Sequence, residues 1–190
     1  MGLHPRKHKT EPHDSWAEVY DEAYEQSFGP LYTMLTDVSL EVIQEKTEAG
    51  SDILDLGAGT GRLSIPLAQL CHTLSAVDAS AKMLEVLKRK DTNKLIKTTH
   101  CQAQSLDLNQ TFDTVLCVFL VFCYLTDTKD LKAAIHSIAR HTRNTGYALI
   151  DIPSNSSFSG LSYESEDLSR QVTVTVLDQA IGLFEYVENV

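Results

Sequence analysis

Three glycines at alternate positions, with an aspartate on either side of them, are the residues of this chain best suited to ligand chemistry. Gly57, Gly59 and Gly61 follow a short apolar run that contains Asp55. Glycine permits positive φ angles and lets a ligand approach the backbone closely. Asp78 closes a second apolar run about 20 residues later, where a carboxylate can accept hydrogen bonds from ribose hydroxyls. Together these residues predict a nucleotide-type binding site.

Two strand–loop–helix units would position these residues. The apolar run 52–56 predicts a strand, and a helix is predicted over 62–70, with Pro66 in its first turn. The run 73–78 predicts the second strand, and Ser80 is the expected N-cap of the next helix. Because the N-terminus of a helix attracts anionic ligand groups, the two loops are the expected binding surface.

The spacing of the glycines separates two kinds of cofactor. The dinucleotide fingerprint places glycines at the first, third and sixth loop positions. Here Arg62 occupies the sixth position, and Gly61 comes one residue too early. Asp55, two residues before the first glycine, is also not part of that fingerprint. An NAD-dependent oxidoreductase is therefore the less favoured alternative.

The string Asp-Leu-Gly-Ala-Gly-Thr-Gly at 55–61 resembles the first motif of class I S-adenosylmethionine-dependent methyltransferases of the small-molecule type. The likeness extends over 16–153. It implies an α/β, Rossmann-like, doubly wound and mostly parallel sheet with helices on both faces. It also implies a cytoplasmic enzyme that transfers a methyl group from S-adenosylmethionine to a nitrogen or oxygen of a small-molecule acceptor.

The resemblance further implies which residues bind S-adenosylmethionine. The loop glycines would face its methionine part, Asp55 would hold its ammonium through a water molecule, and Asp78 would bind both ribose hydroxyls. Gln102 stands where the family usually has an acid, and its amide oxygen can still accept from the adenine amino group, without a charge. No catalytic base is identified and no metal site is expected. The residues expected to bind the cofactor are Tyr20, Asp55, Gly57, Ala58, Gly59, Gly61, Asp78, Ala79, Met83, Gln102, Ala103, Cys117 and Val118.

Length and composition favour one soluble domain. The chain has 190 residues, of which 43% are hydrophobic, and no apolar run approaches the ~20 residues of a membrane span. The net charge of −10 disfavours nucleic-acid partners, which require a basic surface. The four cysteines show no zinc-type spacing, so free thiols in a reducing cytoplasm are expected.

The domain is predicted to span 15–190, after a flexible N-terminal tail over 1–14. Within it, 15–49 would supply N-terminal helices, 51–153 the cofactor-binding core and 170–188 a C-terminal β-hairpin.

Strands and helices are expected to alternate to the end of the core, as in a parallel sheet. Further strands are predicted at 95–103, 112–118 and 147–152, and a helix at 131–141 with His141 on its surface. Thr145-Gly146 is the expected turn before the last of these strands.

Family members usually continue past the point where this chain stops. An unpaired sheet edge would invite a second strand, so a homodimer through that edge is a possible partner arrangement. Cys123 replaces an asparagine that many small-molecule methyltransferases carry before a Tyr-Leu pair. A cofactor-binding but non-catalytic interaction protein therefore stays open as an alternative.

Overall fold

Five parallel strands form a sheet in the computed structural model, which describes residues 11–70, 73–152, 161–164, 169–178 and 183–189. The strands are β1 (Asp52–Leu56), β2 (Thr73–Asp78), β3 (Ile96–His100), β4 (Phe112–Cys117) and β5 (Thr142–Ile150). Their order is β3-β2-β1-β4-β5, and every pairing is parallel. The order reverses between β1 and β4, and in open α/β sheets the crevice at such a switch point is where ligands bind.

Helices cover both faces of this sheet. They are α1 (Tyr20–Phe28), α2 (Pro30–Lys46), α3 (Ser64–Gln69), α4 (Ala81–Lys90) and α5 (Thr128–His141). Successive residues of β1 point to opposite faces: Ile53 packs in a core cluster with Leu67 and Leu87, and Leu54 packs in a second cluster with Ile138. Burial on both faces explains why the successive residues Ile53 and Leu54 of β1 are both apolar. The predicted doubly wound fold is confirmed.

The bounds of β1 and β2 agree with the sequence prediction, whereas β5 begins five residues before the predicted strand, directly after α5. The predicted turn at Thr145-Gly146 is wrong, because both residues lie inside β5. A Cβ on Gly146 would lie 2.6 Å from the carbonyl oxygen of Asp113, where the β4–β5 register is irregular. This glycine allows a close approach of two strands and does not mark a turn.

The N-terminal prediction also needs correction. Pro12–Ser15 forms a 3₁₀ helix, contrary to the flexible tail predicted for 11–14, while residues 1–10 lie outside the described part. The first α-helix begins at Tyr20, because 16–19 form turns.

His141 is buried, with 1% of its surface exposed, contrary to the predicted surface position. Its Nε2 accepts a hydrogen bond from the Leu108 backbone N–H at 3.0 Å, and its Nδ1 lies 2.7 Å from the Ser137 carbonyl oxygen. These contacts define a neutral ring that donates from Nδ1 and fixes the end of α5 to the loop before β4.

Three further strands, β6 (Leu161–Glu164), β7 (Ser169–Asp178) and β8 (Leu183–Asn189), form a separate antiparallel sheet in the order β6-β7-β8. Residues 179–182, which would form the predicted hairpin turn, lie outside the described residues, and the hairpin stays a prediction. The outer edge of β5 pairs with no strand in the described part, and the homodimer also stays a prediction. None of the described helices is long and apolar enough to cross a bilayer.

Candidate cofactor site

A cavity of about 510 Å³ lies where the loops after β1, β2, β3 and β4 meet. It is within the size range of small-molecule and cofactor sites. Four of the predicted site residues do not line it, namely Asp55, Gly61, Cys117 and Val118. The predicted residues that do line it are Tyr20, Gly57, Ala58, Gly59, Asp78, Ala79, Met83, Gln102 and Ala103.

The three loop glycines serve different physical purposes, although all have positive φ. A Cβ on Gly57 would lie 2.3 Å from Cγ2 of Val121, and one on Gly61 would lie 2.9 Å from Cγ of Leu87. These two positions need glycine so that neighbouring side chains can pack. A Cβ on Gly59 would meet nothing within 4 Å, and this residue leaves backbone open to the cavity.

The carboxylate of Asp78 joins two loops. Its Oδ2 accepts from the Gly59 N–H at 2.8 Å, and its Oδ1 accepts from the Ser80 N–H at 2.7 Å. Burial raises its pKa above the ordinary value, and the two backbone hydrogen bonds partly oppose that shift. Ser80 is the N-cap of α4, as predicted, because its Oγ accepts from the Met83 N–H at 3.1 Å.

Asp55 lies beneath the glycine loop and does not line the cavity. Only 4% of its surface is exposed, and its Oδ2 accepts from the Ser64 hydroxyl at 2.6 Å. Burial raises the pKa of Asp55 to about 6, while the Ser64 hydrogen bond opposes the shift and nearby Asp78 adds to it. Its predicted contact with the cofactor ammonium stays a prediction.

The side chains of Cys117 and Val118 are buried in the core, and the predicted contact of their backbone with the cofactor stays a prediction. Cys117 has 1% of its surface exposed, and burial raises the pKa of its thiol to about 12. Val118 packs in the core cluster that contains Ile53.

The loop after β4 supplies cavity residues that the sequence reasoning missed. Phe119 and Leu120 have positive φ, and both of their N–H groups donate to the carboxylate of Asp151, just beyond β5. This clamp holds Phe119 and Val121 in the cavity wall. The sequence gives little indication of this loop conformation, because positive φ is uncommon for residues other than glycine.

The N-terminal segment from Glu11 to Asp21, which we call the strap, crosses the same three loops that carry the predicted site. Glu11 accepts from the Gln102 side chain at 3.2 Å, after β3. Asp14 accepts from the Ser80 hydroxyl at 2.6 Å, after β2. Asp21 accepts from the Thr60 hydroxyl at 2.6 Å, after β1. The strap therefore supplies one carboxylate to each loop.

Aromatic rings extend the strap over the cavity. His13 contacts Trp16, Tyr20 and Tyr124 at centroid distances of 5.1–5.6 Å, and Tyr20 stacks on Tyr24 at 4.5 Å. Burial raises the pKa of Tyr20 well above its ordinary value. The spacing of Trp16, Tyr20 and Tyr24 by four residues was the signal for this shared face.

A methyltransferase-domain family model matches residues 53–146, which hold the glycine loop, Asp78 and β1 to β4. The chain belongs to the class I S-adenosylmethionine-dependent methyltransferases. A methyltransferase from Clostridium acetobutylicum has the same fold, with a TM-score of 0.71 at 20% identity over 94% of this chain and 80% of that one. The sugar N-methyltransferase KedS8 from Streptoalloteichus gives 0.69 at 19% identity over 100% and 82%.

Two sequence relatives of this methyltransferase come from Streptomyces. The cypemycin N-terminal methyltransferase is 28% identical over 83% of this chain and 68% of the relative. The dTDP-3-amino-3,6-dideoxy-alpha-D-glucopyranose N,N-dimethyltransferase of Streptomyces fradiae is 25% identical over 71% of this chain. The match spans about half, 52%, of that second relative.

The cavity of the methyltransferase fits the family's cofactor. Gly59 leaves room for a ligand against the backbone, and Asp78 presents a carboxylate at the end of β2. Arg62 adds a cation to the same wall.

The first prediction concerns the buried charge of Asp55. Because its pKa is raised on folding, the native state binds more protons between about pH 4 and 6, and stability falls as pH rises through this window. Asp55→Asn removes this dependence, so relative to wild type the variant gains roughly 2–3 kcal/mol between pH 4.5 and 7.5. Urea unfolding of both proteins at the two pH values measures the difference; an equal difference at both would contradict the raised pKa.

The second prediction concerns the strap. Asp21→Ala removes the acceptor of the Thr60 hydroxyl, so we expect S-adenosylmethionine affinity to fall by roughly 5- to 10-fold, as for loss of one hydrogen bond to a charged group. Trp16 is the single tryptophan and lies in the strap, so its fluorescence reports binding without a label.

Glu18→Ala is the matched control. Both Glu18 and Asp21 lie on the strap and pair with α4, through Arg89 and Lys90 respectively, but only Asp21 also contacts the glycine loop. Equal losses of affinity in the two variants would show that the strap's contacts with α4, and not its contacts with the loop, support binding.

Proposed function

We propose that this chain transfers a methyl group from S-adenosylmethionine to an amine nitrogen of a small-molecule acceptor. The observation that carries the proposal is the Asp78 carboxylate, held by Gly59 and Ser80 in the wall of a cavity at the switch point of the sheet. Both oxygens keep lone pairs for ribose hydroxyls, because each accepts only one backbone hydrogen bond.

The adenine would lie between the loops after β2 and β3. Met83 and Ala103 supply apolar surface there, and Gln102 supplies an amide in place of the acid usual in the family. The Gln102 Nε2 donates to Glu11, which fixes the amide orientation and leaves its Oε1 to accept from Gln104 or from a ligand amino group.

The side of the cavity toward α5 would receive the acceptor. Tyr124, Asp127 and Asp130 line this side, and Tyr20 and Phe119 lie next to it. Aromatic faces and carboxylates both attract cations, and a protonated amine is a cation until it loses its proton. One Streptomyces relative is named an N-terminal methyltransferase and the other an N,N-dimethyltransferase, and these names support a nitrogen acceptor.

S-adenosylmethionine, when bound, supplies an electrophilic methyl group on a sulfonium. The residues of this chain have to align the acceptor nitrogen and exclude water. The strap covers the cavity, and the rings of Tyr20 and Tyr124 border it. A neutral amine needs little help from a base, so we assign no side chain to proton removal.

The third prediction tests the cofactor. Isothermal titration should show micromolar binding of S-adenosylmethionine and its demethylated product, and none of NAD. Asp78→Ala should lower the affinity at least about 100-fold, because two charge-assisted hydrogen bonds to ribose are lost. NAD binding in the absence of S-adenosylmethionine binding would overturn the proposal. Tight cofactor binding without methylation of any amine or hydroxyl compound in a broad panel would favour a non-catalytic binding protein.

The fourth prediction separates ligand contact from backbone strain at Gly59. Gly59→Ala places a methyl group in open space on the cavity side and should lower cofactor affinity about 10-fold or more, with an unfolding cost of about 1 kcal/mol from positive φ. Gly50→Ala is the matched control, since Gly50 also has positive φ and open space but does not line the cavity. An equal loss of affinity in both variants would contradict a ligand contact at Gly59.

A further inference from the structure

Helix α2 has an apolar face that the rest of the domain leaves exposed. Of its 17 residues, only Tyr32 and Ile43 are buried. Five apolar side chains are 38–55% exposed, and their spacing in the sequence puts them on one face of the helix. A contiguous exposed apolar surface is typical of an interaction site. These residues, which we call the α2 stripe, are Leu31, Met34, Leu35, Val38 and Val42.

The acidic residues of α2 lie where its own dipole does not favour them. Asp37, Glu41 and Glu45 recur at every fourth position beside the stripe, and all three are exposed. Like charges four residues apart on a helix repel one another. Glu45 lies in the last turn, where the helix dipole disfavours an anion, and Lys46 is the only cation of α2. A neighbouring positive potential would therefore stabilise this end of the helix.

The N-terminal end of α2 has the opposite character. Its N-cap is Gly29, which makes no side-chain cap hydrogen bond, and its first turn contains no acidic residue. No charged residue occurs from Pro30 to Thr36. The start of a helix carries a partial positive charge and favours an anion nearby, but the sequence of α2 places none there.

A second copy of α2, packed antiparallel on the first, would match both ends at once. About a two-fold axis between Leu35 and Val38, Leu31 of each copy faces Val42 of the other, and the two stripes bury each other. The acidic end of each helix then lies beside the uncharged N-terminal end of the other, where the dipole favours it. A parallel pair would instead bring the two acidic ends together.

We infer that the α2 stripe is the contact surface of a homodimer in which the α2 helices of two copies pack antiparallel. The face is complementary to itself, as a two-fold contact requires. It is separate from the outer edge of β5, the other surface at which a homodimer is predicted, and it does not depend on the proposed function. A single helix pair buries less than the ~800 Å² per partner of a standard interface, so we expect a dissociation constant in the micromolar range.

The fifth prediction is tested by sedimentation equilibrium of the full chain from about 1 to 200 μM, where the wild type should pass from monomer to dimer. Val38→Lys should raise the dissociation constant at least about 100-fold, because an ammonium without a partner would be buried at the centre of the contact. Ile135→Lys is the matched control, since Ile135 is an apolar residue of α5 with a similar exposed fraction and should keep the wild-type constant.

A double substitution, Glu41→Lys with Glu45→Lys, tests the antiparallel orientation. Cations at this end suit the helix's own dipole, so the thermal midpoint of the monomer should not fall. The dissociation constant of the dimer should rise at least about 5-fold, because the cations would lie beside the N-terminal end of the second helix. A constant that stays the same or falls in this variant would overturn the antiparallel arrangement.

Three other outcomes overturn the inference as a whole. The first is a wild type that stays monomeric over the whole concentration range, a result that needs no variant. The second is a dimer that Val38→Lys leaves intact; its loss in Tyr147→Lys, which changes an exposed residue of β5, would assign the contact to the sheet edge. The third is a marked fall in the thermal midpoint of Val38→Lys at concentrations where the wild type is monomeric, because it would show that other parts of the same chain cover the stripe.

Discussion

The site depends on the hydrogen bonds that the side-chain carboxylate of Asp78 accepts from backbone N–H groups. One carboxylate accepts from Gly59 and Ser80, and the Gly57 and Ala58 N–H groups donate to the carbonyl oxygen of Val77, one residue earlier. The end of β2 thereby sets the path of the loop after β1 and the start of α4.

The charged side chains at the glycine loop are the carboxylates of Asp55 and Asp78 and the guanidinium of Arg62. Asp55 is buried and Asp78 is half-buried in the cavity wall, and desolvation raises both pKa values. Two neighbouring desolvated carboxylates are unfavourable without a cation, and the half-buried Arg62 is unfavourable without an anion. Bound as proposed, a ligand with an ammonium, a sulfonium and a carboxylate would compensate both costs.

The sequence was sufficient for the first two strands, the N-cap of α4 and the loop, because these depend on local apolar runs and on residues with special backbone preferences. The bond of Ser80 with Met83 and that of Asp78 with Ser80 span only three and two residues. The strap, the buried His141 and the Asp151 clamp were missed because their partners are distant in sequence and single side chains carry no pattern. Gly146 was misread because a glycine that permits close packing looks the same in sequence as one that forms a turn.

The strap also has a place in the folding of the chain. Three of its carboxylates join partners 39, 66 and 91 residues away, so these contacts can form only after the strands between them have assembled. Its regular structure before α1 is a single short 3₁₀ turn, and its buried contact is that of Ala17 with Met83 and Val86 of α4. We therefore expect the strap to open without unfolding of the sheet, and amide hydrogen exchange to be faster there than in β1 or β2.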